Sequence, residues 1–219
     1  MDSPKVYGFL AVSVFLISFL LDSAAACMCA PDHPQTRFCR ADVVIRARFM
    51  GVTETYVNSI FGTPMPLLQY EIKTTKVYKS PEDMQDIRFL YTSTMENFCG
   101  YIHKGPLKEE YIIEGRLNSN RVHISLCSFI QPWNQLSAAQ KQGLSSDYMK
   151  GCSCNIETCS SMPCEIHSSE QCLWTDQITS KEWNGHQAQQ LACLPRTEDS
   201  TICTWRSLNT FSDPFASLT

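Results

Sequence analysis

Twelve cysteines, all of them beyond residue 26, constrain this chain more than any other feature of its sequence. The residues before them read as a secretory signal peptide, residues 1–26. Lys5 sits in a short polar start, an apolar run covers residues 6–21, and Ala24 and Ala26 stand at the small-residue positions before Cys27. The run is shorter than the ~20 apolar residues that span a bilayer, and it ends at an A-x-A cleavage pattern rather than continuing as an anchor. A lipoprotein signal also ends in cysteine, but its usual Leu three residues earlier is Ala24 here. An even number of cysteines in a secreted chain reads as a disulfide framework, not as thiols or metal ligands.

Six bridges are therefore expected, and spacing divides them. Cys27, Cys29, Cys39, Cys99, Cys127 and Cys152 form one set of six; Cys154, Cys159, Cys164, Cys172, Cys193 and Cys203 form another. The sets meet at Cys152-Ser153-Cys154, which places a boundary between a sparsely bridged domain over residues 27–152 and a densely bridged one over residues 153–219. The second, about 65 residues long, buries too little apolar surface to hold itself without staples; Trp174, Trp183 and Trp205 offer it large core side chains. The formal charge of −4 becomes −3 once the leader takes away Asp2, Lys5 and Asp22. That balance, with no block of like charge, gives no reason to expect nucleic acid as a partner. No later stretch is long and apolar enough to cross a membrane.

The first domain is mainly β in pattern. Residues 43–49 begin as a buried apolar run and become alternating, and residues 67–78 alternate with period two. Further strands are expected at residues 87–91, 111–117 and 121–126, with Asn118-Ser119-Asn120 as a turn. Residues 58–66 read as a protruding loop from their Gly and Pro content. Five such strands suit a small closed barrel. Ser137-Ala138-Ala139-Gln140 fits a capping box and predicts a helix running towards Leu144, packed against that barrel.

Enzyme chemistry finds no support in the motifs. A G-x-S-x-G elbow is absent, and paired cysteines leave no thiolate for Cys-His chemistry. Glu109-Glu110 and Glu82-Asp83 read as solvated surface. His33, His103, His123, His167 and His186 match no zinc-protease spacing and read as surface or turn residues. What remains is the end that cleavage would create. A free Cys27 α-amine beside its own carbonyl forms a five-membered chelate suited to a divalent metal. A catalytic zinc with three protein ligands keeps an open position, normally held by a reactive water. An exposed Cys27 amine and carbonyl could take that position and expel the water.

Cys27-Met28-Cys29-Ala30-Pro31-Asp32-His33-Pro34-Gln35 resembles the C-x-C-x-P-x-H-P-Q start of the tissue inhibitors of metalloproteinases. Val44-Ile45-Arg46-Ala47, Tyr70-Glu71-Ile72-Lys73, Cys99-Gly100, Cys127-Ser128, Pro132-Trp133 and Cys172-Leu173-Trp174-Thr175-Asp176 are similar to later signatures of that family, in order. The resemblance implies a fold that is mainly β with α: a five-stranded OB-fold-like barrel with flanking helices, a netrin-like module, followed by a small disulfide-rich C-terminal domain. It implies the pairings Cys27–Cys99, Cys29–Cys127, Cys39–Cys152, Cys154–Cys203, Cys159–Cys164 and Cys172–Cys193. It further implies a secreted, monomeric, reversible inhibitor of matrix metalloproteinases, found in the extracellular space or matrix, with no cofactor of its own. In this reading the Cys27 amine and carbonyl chelate the target's zinc and Met28 enters its S1′ pocket. Cys29, Ala30 and Pro31 lie in the substrate cleft, while Glu96, Asn97 and Phe98 line the other side of the contact. The C-terminal domain of similar inhibitors binds zymogens. A different class of function, a secreted signalling module that engages a receptor or a protease's non-catalytic domain, would not need a free terminal cysteine. Two positions depart from the family: Met28, usually Thr or Ser, and Asn97-Phe98, where smaller residues such as Ser-Val are typical.

Overall fold

The computed structural model describes residues 27–58 and 62–208; the expected leader, residues 59–61 of the expected loop and residues 209–219 lie outside the described residues. The first half is built on strands β1 (Val43–Asn58), β2 (Pro64–Lys79), β3 (Phe89–Ser93), β4 (Glu110–Asn118), β5 (Arg121–His123) and β6 (Ile130–Pro132). The sheet runs β1-β2-β3-β5-β4-β6, and a further β1–β4 pairing closes the first five strands into a ring. All pairings are antiparallel except β3 with β5.

Two buried clusters explain why β1 starts as an unbroken apolar run. Val43, Ile45, Ala47 and Phe49 point into the ring, where they meet Tyr70, Ile72, Leu90, Tyr111, Ile113 and Val122. Val44 points the other way and is only 2% exposed, because helices cover that face. A strand buried on both faces loses its period-two signal, and the alternation returns where one face reaches water. The covering layer consists of α1 (Pro34–Arg40), α2 (Ala138–Gln142), a π-helical turn (Gly143–Asp147) and α3 (Tyr148–Lys150). Phe38, Leu136, Ala139, Leu144 and Tyr148 pack there with Ile112, Ala192 and Leu208.

Local chemistry fixes the ends of these elements. At α2 the capping box is present: the Gln140 N–H donates to Ser137 Oγ and the Ser137 N–H to Gln140 Oε1, each at 3.0 Å. The chain then stays helical beyond Leu144 to Lys150, further than the sequence pattern indicated. The β4–β5 hairpin turns on Ser119 and Asn120, both at positive φ, with Asn118 opposite Arg121. That is the two-residue turn whose twist matches the flanking strands.

Several sequence-based boundaries need correction. Residues 64–66, expected in a loop, belong to β2, where Pro64 and Pro66 pair only with β1; β3 joins β2 from Leu67 on. Prolines are tolerated there because the outer side of the strand has no ladder to supply. Strand β3 lies two residues later than expected. Strand β5 ends at His123, because Ser125 and Ser128 close a tight turn: the Ser125 N–H donates to Ser128 Oγ and the Cys127 N–H to Ser125 Oγ. Helix α1 and strand β6 were not foreseen. Glu110, expected as solvated surface, is partly buried and ion-paired to Arg46 and Arg48.

Beyond Cys152 the elements are short: β7 (Asn155–Thr158) parallel to β8 (Gln171–Trp174), α4 (Asp176–Thr179), α5 (His186–Gln190), and β9 (Leu191–Pro195) antiparallel to β10 (Cys203–Ser207). The six disulfides join Cys27–Cys99, Cys29–Cys127, Cys39–Cys152, Cys154–Cys203, Cys159–Cys164 and Cys172–Cys193, the same pairs that the family resemblance implies. Trp174 is buried, with Trp183 tilted against it at 5.3 Å.

Candidate functional site

Residues 27–31 are neither helix nor strand, and Met28, Cys29 and Ala30 are exposed. What fixes them is covalent. Cys27 is bridged to Cys99 with the Cα atoms 5.6 Å apart, and Cys29 to Cys127 at 5.2 Å. Met28, between the two anchors, is 93% exposed. An apolar side chain so placed gains almost nothing from burial on folding.

The two receiving loops are themselves shaped and joined. Around Cys99 the chain makes a one-turn 3₁₀ helix, Glu96–Phe98, closed by N–H groups of Phe98 and Gly100 donating to the Met95 carbonyl at 3.2 and 3.1 Å. Cys99 takes a positive φ of 57°. At Gly100 a Cβ would come within 2.2 Å of the Ser93 carbonyl oxygen, so only glycine fits. The Leu126 N–H donates to the Cys99 carbonyl at 2.8 Å, tying the Cys127 turn to the Cys99 loop. Of the expected site residues, Met28, Cys29, Ala30, Asn97 and Phe98 are exposed and Pro31 is half-buried, while Glu96 opens the 3₁₀ turn. The bridges gather residues 27–31 and 96–99 onto one connected surface. Met95 and Leu126, which sequence reasoning passed over, add exposed apolar side chains to the same loops. Their one sequence signal was an apolar residue close to a cysteine.

The base of this segment is held by polar contacts that the sequence reading did not anticipate. His33, expected at the surface, is 1% exposed. It caps α1 by accepting the Gln35 N–H at Nδ1, so Nε2 carries the proton donated to the Gln187 carbonyl at 3.1 Å. Its ring lies between Trp174 and Trp205, with centroids at 5.6 and 5.1 Å. Burial pushes its pKa down to about 4, against the opposing pull of the Gln187 carbonyl and the Asp176 charge. Gln35, also buried, donates to the carbonyls of Gly151 and Cys193 and accepts the Cys193 N–H, at 2.8 to 2.9 Å. Trp174 and Gln187 are fixed in turn by Asp176, whose carboxylate accepts from Trp174 Nε1 and from the N–H groups of Gln187 and Ala188. The segment is thus anchored in strand β9 and helix α5 as well as in the ring.

One sulfur cluster could be mistaken for a metal site. The sulfur atoms of Cys154, Cys193 and Cys203 lie within 4.8 Å of one another. All three are disulfide-bonded, and a cystine sulfur is not the thiolate a zinc site requires.

Fold and site together define a class: a disulfide-braced, mainly β scaffold that presents one short exposed stretch of backbone, fixed at both of its cysteines. The family described as tissue inhibitor of metalloproteinase matches residues 25–205. Metalloproteinase inhibitor 2 of Bos taurus is 45% identical over 198 residues, covering 90% of this chain and 88% of the relative. The human protein of that name is 44% identical over the same span and shares, and the Gallus gallus one 40% over 204 residues, covering 92% and 90%. The chain therefore belongs to the tissue inhibitor of metalloproteinase family, a family of inhibitors and not of enzymes. Among the described residues, no helix is long and apolar enough to cross a membrane.

Proposed function

We propose that the chain is secreted, that leader removal leaves Cys27 as its mature N-terminus, and that it reversibly inhibits zinc metalloendopeptidases of the matrix metalloproteinase type by chelating their catalytic zinc. The α-amine of Cys27 titrates near 7.7 to 8.0, and a nearby Zn²⁺ favours its neutral, ligating form. Amine and carbonyl then take the coordination position of the reactive water, which removes the nucleophile without covalent chemistry. Met28 enters the S1′ pocket, Cys29, Ala30 and Pro31 fill the cleft, and Glu96, Asn97 and Phe98 contact its other side. The zinc belongs to the protease, and the inhibitor has no cofactor of its own.

The observation that carries this reading is the pairing of exposure with restraint: Met28 is 93% exposed between two disulfide anchors. A chain end is normally mobile, and ordering it on binding costs free energy. Here the bridges set that cost during folding. In the same reading the five-stranded ring is an OB-type, netrin-like inhibitory domain over residues 27–152. Residues 153–219 form a disulfide-rich domain available for zymogen contacts, the hairpin end near residues 58–66 gives peripheral contacts, and the inhibitor acts as a monomer.

The test is a protein with one additional alanine before Cys27, which moves the amine and blocks the chelate. It should keep all six bridges and its thermal stability while losing inhibition of a matrix metalloproteinase catalytic domain. Full inhibition by the extended protein would refute the mechanism.

A further inference from the structure

Beside the exposed segment, along its Cys29–Cys127 bridge, the fold leaves an open groove of about 480 Å³, lined by Pro31, Asp32, Arg37, Phe129, Trp174 and Trp183 among others. Cys29, Pro31 and Asp32 therefore border open space there. One side chain spans the gap. Arg37, on α1, donates from Nη1 to the Cys127 carbonyl at 2.9 Å and from Nε to the Asp32 carbonyl at 3.3 Å. Its guanidinium also stands over the Phe129 ring, 6.0 Å from the centroid. One carbonyl belongs to the residue after Pro31, the other to the cysteine bridged to Cys29. The Asp32 side chain is held separately, by Arg40 one turn further along the helix at 3.1 and 3.2 Å.

We propose that Arg37 is a positioning residue for inhibition: its planar fork locks the angle between residues 27–32 and the Cys127 turn, and so keeps Met28 and the Cys27 backbone aimed at the target. A disulfide fixes the separation of two Cα atoms but leaves the intervening chain free to pivot about its side-chain torsions. Two bridges from one short segment restrict translation; the remaining freedom is rotation about the line joining the two bridges. One guanidinium bonded both to a carbonyl of the segment, on Asp32, and to a carbonyl of the loop that receives it, on Cys127, opposes that rotation. Arginine suits this role and lysine does not, because a guanidinium presents several donors in a rigid plane whereas an ammonium is a point. The Asp32–Arg40 pair, with Arg40 60% exposed, is solvent-screened and adds little.

This inference rests on the zinc-chelation reading, and its experiment separates the two. Full-length, fully bridged protein would be prepared as wild type, Arg37→Ala, Arg37→Lys and the alanine-extended form. Two quantities would be measured: backbone ¹⁵N order parameters of Met28, Cys29 and Ala30 in the free protein, and association and dissociation rates with a matrix metalloproteinase catalytic domain. Arg37→Ala should lower the order parameters and raise the dissociation rate about tenfold, equivalent to ~1.4 kcal/mol, with association changed far less. Arg37→Lys should fall between, and it carries the test if the alanine variant does not fold. Unchanged order parameters would overturn the clamp, and so would lowered order parameters with an unchanged dissociation rate. Full inhibition by the alanine-extended form would overturn chelation instead, and the order parameters would still decide for or against the clamp.

Discussion

Acidification from pH 7 to pH 4 should cost the native fold about 3 kcal/mol through His33 alone. The ring is 1% exposed and its pKa is lowered from 6.5 to about 4, chiefly by burial. In the unfolded chain the same imidazole titrates at its ordinary value. Between these two values the unfolded state takes up a proton that the native state refuses, so stability rises with pH across that window. The contribution is intact above about pH 6.5, is lost as pH falls towards 4, and levels off below. Structure gives the same direction: a proton on Nδ1 would abolish its acceptance of the Gln35 N–H and place a charge between two tryptophans. Other groups titrate in acid as well. Glu110 and Asp147 have lowered pKa values despite partial burial, through hydrogen bonds from Arg46 and Lys150, whereas burial raises that of Glu114. The comparison must therefore be with His33→Asn, which keeps a helix-capping acceptor but cannot titrate. Urea unfolding with the disulfides intact, followed by tryptophan fluorescence at both pH values, gives the two stabilities. The wild-type advantage over the variant should shrink by about 3 kcal/mol, or ~1–3 M in midpoint. An equal gap at both pH values would show that His33 is not held neutral by burial, and the reasoning would fail.

Three further changes probe other parts of the structure. Gln35→Ala leaves the buried Cys193 carbonyl and N–H without this partner and takes one of two donors from the Gly151 carbonyl, so calorimetry should find the melting temperature ~10 °C lower, from roughly 3 kcal/mol of lost stability; a drop under 2 °C would mean that water replaces the side chain. Ile113→Ala empties a site with no exposure in the ring core and should cost about 2–5 kcal/mol by denaturant unfolding, with the bridges unchanged. Met28→Thr should alter inhibition constants across a panel of metalloproteinases, weakening most against those with deep apolar S1′ pockets; identical selectivity would remove residue 28 from the specificity argument.

How far the sequence could be read depended on how local the cause was. The capping box at Ser137 and Gln140, the turn at Ser119 and Asn120, and the doubly buried start of β1 are each produced by residues next to one another, and each was visible as a pattern. Helix α1 is different. It has seven residues and a histidine cap outside the preferred set, and its last carbonyls, on Phe38 and Cys39, are satisfied by Lys79 from another strand at 3.2 and 2.8 Å. Propensity alone gives such a helix little, and tertiary contacts hold it. Pro34 at its start and Arg37 and Arg40 in its last turn were the available signs, the latter favourable at the negative end of the helix dipole.

The same distinction applies within the nine residues that open the described chain. Cys27, Met28 and Cys29 announced themselves through their position after the leader and their spacing. His33 and Gln35 stood in the same family-like start, but their anchoring role was not legible, because their partners Gln187 and Cys193 lie 154 and 158 residues away and no periodicity connects them. Yet the buried pair determines what the exposed triplet can do. Disulfides hold residues 27–29 to two loops of the ring, while His33 and Gln35 are fastened to elements beyond Cys152. Only three residues, Ala30, Pro31 and Asp32, connect the two sets of anchors, and Pro31 has its φ fixed by its ring. A span so short, tied at both ends, transmits a displacement at either end to the other. The orientation of Met28 is therefore a property of both halves of the molecule, set by covalent bonds on one side and by a neutral, buried imidazole and a fully bonded amide on the other.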